Sequence, residues 1–393
     1  MMPENAVFVH HAGEIQYKFN ESHPFNPKRL TLAIDLLRRM GALNDAQIAM
    51  PEPASDEQLL RIHRADYVRI VRALSVPEPA QADLDDAGQY GLDTEDTPCF
   101  PGMHDAAALI VGGSLLAAEL VMSGKAGHAY HMAGGLHHAL PGRGSGFCVY
   151  NDAAAAIAHI RKHWGARVMY IDTDVHHGDG VQWMFYADPD VMTYSIHETG
   201  KYLFPGTGFV HERGEGEGYG RSVNMPVEPY TEDVSWLECF RDTVRRAAES
   251  FKPDVIVSQH GCDAHAYDPL SHIHCSMSIY TEMPAVIHEL AHQYADGRWI
   301  AVGGGGYDIW RVVPRAWSLV WLEMTDHPAA AAAREGGDGG RLPEDWIRAW
   351  QAESPVTLPE TWLDHAESWT PIPRRSAIAE ANRRMKELAV QFL

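Results

Sequence analysis

The chain has 393 residues, 45 % of them apolar and 22 % charged, a globular composition long enough for one large domain or two ordinary ones. Its formal charge of −21 repels a phosphate backbone, so no nucleic-acid partner is expected, while it suits either a cationic substrate or plain solubility. Five cysteines at wide spacings, with no C-x-x-C among them, exclude a disulfide framework and a thiolate zinc site. Met1 to His11 lacks the basic and then apolar pattern of a signal peptide, so the expected compartment is the cytoplasm.

In chain order, Pro27 to Met40 carries a helical pattern. Ala106 to Met122 is the longest apolar run, but Gly112, Gly113, Ser114 and Glu119 interrupt it. It is short for a membrane span and reads as a buried helix, and no membrane partner is expected. Val168 to Ile171, Val191 to Ile196, Val255 to Gln259 and Trp299 to Val302 read as strands, with helices over Val234 to Phe251 and Glu282 to Tyr294. Strands continuous in apolar residues and separated by helices imply an α/β domain: a central, mostly parallel sheet with helices on both faces. An alanine-rich stretch, Ala329 to Gly340, predicts a short helix and a loop. Trp346, Trp350, Trp362 and Trp369 then predict that residues 329–393 form an extension packed back on a single domain of residues 1–328.

Ligands of open parallel sheets bind beyond the carboxyl ends of the strands. Asp172 to Asp179 follows the first predicted strand, His197 and then Phe204 to Gly208 the second. His260 to Asp263 follows the third, Gly303 to Tyr307 the fourth, and Gly134 to His138 forms a glycine-rich loop. In an extended run alternate residues face one way, so Asp172, Asp174 and His176 share a side. A carboxylate and an imidazole two residues apart make a natural ligand pair, and Asp263 supplies a third ligand. Three protein ligands leave a position for water, the mark of a catalytic zinc site, although Fe(II), Co(II) or Mn(II) also suit an oxygen-rich set. A buried salt-bridge cluster is the alternative, but no Lys or Arg occurs between Val168 and Lys201. Asp172 and Asp179 remain to orient His137 and His138, giving two His–Asp dyads of which one could carry protons. Tyr307, after four glycines, places a phenol where it could stabilise an oxyanion.

These segments, together with His23 to Arg29, Ser145 to Cys148, Asn151-Asp152 and Asp268-Pro269-Leu270, resemble the zinc-dependent histone deacetylases of the arginase/deacetylase-like fold, most nearly the bacterial acetoin-utilisation deacetylases. The resemblance runs in family order from residue 23 to 307. It implies one Zn2+ on Asp174, His176 and Asp263, with His138 paired to Asp179 as general base and then acid. His137, paired to Asp172, would act mainly electrostatically, and Tyr307 would polarise the acetyl carbonyl. Phe147 and Phe204 would flank the lysine methylenes, with Gly146 on the channel floor and Leu270 at its rim. A structural K+ would sit on Asp172, Asp174, His176, Ser195 and Ile196, and Arg29 would line an internal cavity. The family's clamp loop departs here to Gly91-Leu92-Asp93-Thr94-Glu95-Asp96, leaving Asp96 or Glu95 as the substrate clamp. The implied substrate is an acetylated protein, such as acetyl-CoA synthetase. The alternatives are an acetylpolyamine amidohydrolase and an inactive acetyl-lysine-binding module. A two-manganese ureohydrolase is discounted, because it needs a D-x-H-x-D order and further paired acids.

Overall fold

The computed structural model describes residues 5–335, 340–365, 367–368 and 370–393. The sheet has eight strands: β1 (Ala6–Val9), β2 (Ile48–Ala49), β3 (His128–His131), β4 (Val168–Asp172), β5 (Val191–Glu198), β6 (Ser222–Val227), β7 (Val255–Gln259) and β8 (Trp299–Val302). They lie in the order β2-β1-β3-β8-β7-β4-β5-β6, and every pairing is parallel. Helices cover both faces, and every residue of β3, β4, β5, β7 and β8 is buried. All carboxyl ends therefore emerge at one edge, and the acid-, imidazole- and glycine-bearing loops gather there.

The four strands read from the sequence are β4, β5, β7 and β8. Helices form at Lys28–Arg39, Asp233–Phe251 and Ser278–Tyr294, the last starting four residues before the expected Glu282 because Ile279, Tyr280 and Thr281 are also buried. The other four strands lie outside that reading: β1 is a short apolar run, Ala-Val-Phe-Val, that it passes over, and the remaining three carry weak signals. β3 reads His-Ala-Tyr-His, with no apolar run, yet lies between β1 and β8. β6 contains Pro226, which suits its place at the edge of the sheet.

The apolar run becomes the helix Met103–Met122, long and apolar enough to cross a membrane but 72 % buried inside the fold. Its glycines mark close approaches. A Cβ on Gly112 would lie 1.9 Å from the Glu52 carbonyl oxygen, and one on Gly113 would lie 2.2 Å from the His131 ring.

The tail lies against the body. Trp346 and Trp362 are buried; the Trp346 indole donates to the Leu32 carbonyl at 3.1 Å, and that of Trp350 to Asp35 at 2.7 Å. Asp364 accepts from Arg315 at 2.8 Å and from the Met277 backbone at 2.8 Å, with His265 at 3.0 Å. In the helix Arg375–Ala389, buried Asn382 donates to Thr231 and Ser235 and accepts from the Glu228 backbone. Trp369, and residues 336–339 of the alanine-rich stretch, lie outside the described residues.

Candidate active site

The turn after β4 holds Asp174 and His176, and the turn after β7 brings Asp263 to them. Ligand-capable atoms of the three lie within 4.8 Å of one another, and all three residues are buried. His176 Nδ1 is 3.2 Å from Asp174 Oδ1 and 3.1 Å from Asp263 Oδ2. The carboxylates are held by donors: Gln259 Nε2 and the Gly305 backbone each reach Asp174 Oδ2 at 2.7 Å, and the Val175 backbone reaches Asp263 Oδ1 at 2.8 Å. Two buried carboxylates against one imidazole form an anionic pocket that a divalent cation would neutralise. The glycine run makes the convergence possible. A Cβ on Gly305 would lie 2.1 Å from Asp263 Oδ2, and Gly304 and Gly306 have φ of 152° and 133°.

Both dyads form. His137 Nδ1 is 2.7 Å from Asp172 Oδ2, and His138 Nδ1 is 2.7 Å from Asp179 Oδ1. Each carboxylate fixes its ring with the proton on Nδ1, and the two Nε2 atoms face each other at 3.0 Å. Burial opposes charge on both rings. At His137 the Asp172 and Asp174 charges outweigh it and push the pKa up to about 9. At His138 burial is reinforced by His137 and His176 and holds the pKa well below the usual imidazole value. The surroundings thus bias the two rings in opposite directions, His138 toward the neutral form.

Above them opens a cavity of about 240 Å³ walled by His138, His176, Phe147, Phe204, Leu270 and Tyr307, with Gly146 and Asp96 also lining it. A Cβ on Gly146 would lie 2.3 Å from the His138 ring, so only glycine fits that floor. Phe147 adopts φ 67°, an unfavourable conformation for a non-glycine residue. Tyr17 secures it, donating to the Phe147 carbonyl at 2.7 Å and accepting from the Val149 backbone at 2.9 Å. The Phe204 ring meets that of His138 edge-on at 5.0 Å, and the Tyr307 ring meets Phe147 at 5.7 Å. Of the two clamp candidates, Asp96 lines the cavity, whereas Glu95 is exposed away from the lining. Asp96 Oδ2 accepts from the Gly146 backbone at 2.7 Å.

Some positioning residues escape sequence reasoning. Asp268 accepts from the Tyr307 backbone at 2.8 Å and from the Leu270 backbone at 3.0 Å, so one carboxylate places two site residues. Asp152 accepts from the backbones of Gly135 and Leu136, and Asn151 donates to the carbonyls of His137 and Ala139. Together they shape the histidine loop; the signal was Asn-Asp at a helix start, a capping pattern. Leu203 also lines the channel. Of the monovalent-cation candidates, Asp172 lies opposite Ser195 across β4 and β5, and Ile196 follows it; Ser195 Oγ bonds His197 Nδ1 at 2.7 Å. The small internal cavity, about 20 Å³, is walled by Phe25, His137, Cys148 and Tyr307 among others. Arg29 is placed behind that wall, stacked on Phe25 at 4.2 Å and donating to the Gly306 carbonyl.

The histone deacetylase domain matches residues 23–324 of this chain. The chain belongs to the histone deacetylase family. The acetoin utilization protein AcuC of Bacillus subtilis is 52 % identical over 96 % of this chain and 95 % of its own. That of Staphylococcus xylosus is 45 % identical over 100 % of this chain and 99 % of its own. Among solved structures, an HDAC homolog from Aquifex aeolicus superposes with a TM-score of 0.82 at 26 % identity, covering 96 % of this chain and 100 % of that one. The protein is therefore a hydrolase with a deacetylase domain, on the α/β fold of that structural neighbour.

Proposed function

We propose that this deacetylase hydrolyses the acetyl amide of N-acetyl-lysine on protein substrates, using one zinc ion held by Asp174, His176 and Asp263. The observation that carries the reading is the convergence of those three ligand atoms within 4.8 Å at the foot of an apolar channel. Two His–Asp dyads and Tyr307 stand beside them, and the Tyr307 hydroxyl has no hydrogen-bond partner among the described residues. Three protein ligands with an open side fit a catalytic zinc site. Fe(II) and Co(II) are the other metals such donors accept.

A bound divalent ion would supply Lewis acidity toward a water and the acetyl carbonyl. His138, neutral and oriented by Asp179, accepts a proton from that water at Nε2 and later delivers it to the departing lysine nitrogen. The water oxygen bonds to the acetyl carbon, the C–N bond breaks, and acetate and a lysine amine are released. His137, held by Asp172, acts electrostatically beside the reacting centre and is not the base. Tyr307 donates its hydroxyl to the acetyl oxygen as charge gathers there. Phe147, Phe204 and Leu270 enclose the lysine methylenes and exclude water. Asp96 accepts from a substrate backbone N–H at the rim.

A K+ at Asp172, Asp174, His176, Ser195 and Ile196 belongs to the same reading, as do a cytoplasmic setting and a division into a body, 1–328, and a packed extension, 329–393. The relatives' name, acetoin utilization, supports a metabolic enzyme such as acetyl-CoA synthetase as the target. The acetylpolyamine alternative calls for several acids along the entrance, whereas Asp96 is the one carboxylate lining this channel among the described residues. An inert acetyl-lysine binder would not need the His138–Asp179 dyad. The test is metal analysis of purified protein with an acetyl-lysine peptide assay. Asp263→Asn should lose most metal and activity, since an amide is a far poorer ligand; full occupancy with wild-type turnover would overturn the site.

A further inference from the structure

At the opposite edge of the sheet, where the strands begin, three imidazoles meet. His128 opens β3, and His288 and His292 stand one turn apart on the helix Ser278–Tyr294. His288 Nε2 is 3.2 Å from His128 Nε2 and 3.0 Å from His292 Nε2, and ligand-capable nitrogens of all three lie within 4.8 Å of one another.

The protonation of this cluster is constrained. His288 Nδ1 lies 3.3 Å from Glu323 Oε1, and Glu323 is ion-paired with Arg334. A carboxylate accepts, so Nδ1 of His288 donates to it, and Nε2 is the nitrogen that faces both other rings. A single ring nitrogen cannot hydrogen-bond well to two others at once, so one of the two Nε2 contacts is left poorly made. A cation between the three nitrogens satisfies both. We propose that His128, His288 and His292 form a second transition-metal site, separate from the catalytic one, that binds a single zinc-class divalent ion through three Nε2 atoms.

The geometry meets the requirements of such a site. Zinc takes nitrogen ligands at about 2.0–2.1 Å in tetrahedral array, which places adjacent nitrogens about 3.3 Å apart; the two separations above are near that value before any adjustment. Glu323 on His288 is the carboxylate–histidine arrangement that orients a ligating ring and raises its basicity. His128 and His288 are buried while His292 is exposed, which gives the ion a route from solvent and a fourth position for water. Neutral imidazoles without thiolates suit Zn2+, Cu2+ or Ni2+ and disfavour Mg2+ and Ca2+. Because the ligands come from β3 and from the helix whose His288 stacks on Trp299 of β8, a bound ion would tie the strand and the helix together.

The experiment uses the full-length protein, stripped of metal and equilibrated with Zn2+, with bound metal measured after removal of the excess. Wild type should hold two equivalents, His292→Gln one and Asp263→Asn one, and the double variant none. His292→Gln should deacetylate an acetyl-lysine peptide at the wild-type rate, since its side chain lies outside the catalytic machinery. Co2+ should give wild type and Asp263→Asn a visible absorption band that His292→Gln in the Asp263→Asn background lacks. His292→Gln, folded by circular dichroism yet holding as much Zn2+ as wild type, would overturn the proposal. Loss of one equivalent in His292→Gln with none lost in Asp263→Asn would uphold this site and count against the catalytic one, so the two readings fail separately.

Discussion

Tyr307 shows how a single side chain is aimed. The glycine run brings its backbone over Asp174, the Asp268 carboxylate accepts its backbone N–H at 2.8 Å, and the hydroxyl is left for a substrate. Tyr307→Phe should fold and bind substrate normally while kcat falls on the order of 10²–10³-fold, the effect of losing one oxyanion donor; an unchanged kcat would mean that the phenol acts elsewhere. His138→Ala should be more damaging still, because the proposed mechanism passes both proton transfers through its Nε2. His137→Ala, at the ring given an electrostatic role, should reduce kcat less, and the reverse order in steady-state kinetics would exchange the two roles. Gly305→Ala tests the backbone. A methyl group there would stand 2.1 Å from Asp263 Oδ2 and push a ligand aside, so elemental analysis should find the catalytic ion lost, with full occupancy as the contrary result.

Among the elements, those with a strong apolar signal were legible and those defined by context were not. β4, β5, β7 and β8 are mostly apolar runs, so their carboxyl ends, with the candidate ligands Asp174, His176 and Asp263 and the dyad acids Asp172 and Asp179, could be located from the sequence alone, whereas His137 and His138 read only as part of a glycine-flanked loop. β3 could not, because its two histidines hide a strand that only its neighbours make buried. Asp268 stands in a recognised Asp-Pro-Leu motif, but its positioning role escaped for a related reason: beside the local Leu270 N–H it holds the backbone N–H of Tyr307, 39 residues away, a contact that leaves no mark in the chain. The tail illustrates the same limit. Its tryptophans predicted packing, but the buried anchor is Asp364, whose side chain is 6 % exposed against Arg315 at 1 %. Removing one partner of such a pair typically costs about 3–5 kcal/mol, so Asp364→Asn should lower the unfolding free energy by that order in denaturant titration. Burial works against the Asp364 charge, but His265 and Arg315 outweigh it and hold the pKa below the usual carboxylate range. A carboxyl depressed on folding stabilises above its unfolded pKa of about 3.9, and that stability is lost as pH falls through the folded value. The gap between wild type and Asp364→Asn should therefore narrow on acidification below about pH 4; a gap that does not change with pH would assign the effect to packing alone.

At the scale of the whole molecule, the parallel sheet collects every reactive loop at one edge, and the net charge of −21 surrounds a channel whose lining is largely apolar. Under the proposed function, such a charge would draw in a basic segment around the target lysine, an attraction that salt screens. KM for a lysine-rich acetylated peptide should rise with ionic strength while kcat holds, and a KM insensitive to salt would reduce the charge to a matter of solubility. Under the same proposed function, the channel discriminates between substrates by what stands at its rim. A peptide offers backbone N–H donors to Asp96, whereas a polyamine offers ammonium groups that call for acids along the entrance. The comparison of kcat/KM for an acetyl-lysine peptide with that for N-acetylspermidine therefore tests the account most directly. It should favour the peptide clearly and lose that preference in Asp96→Ala; faster turnover of the polyamine would contradict it.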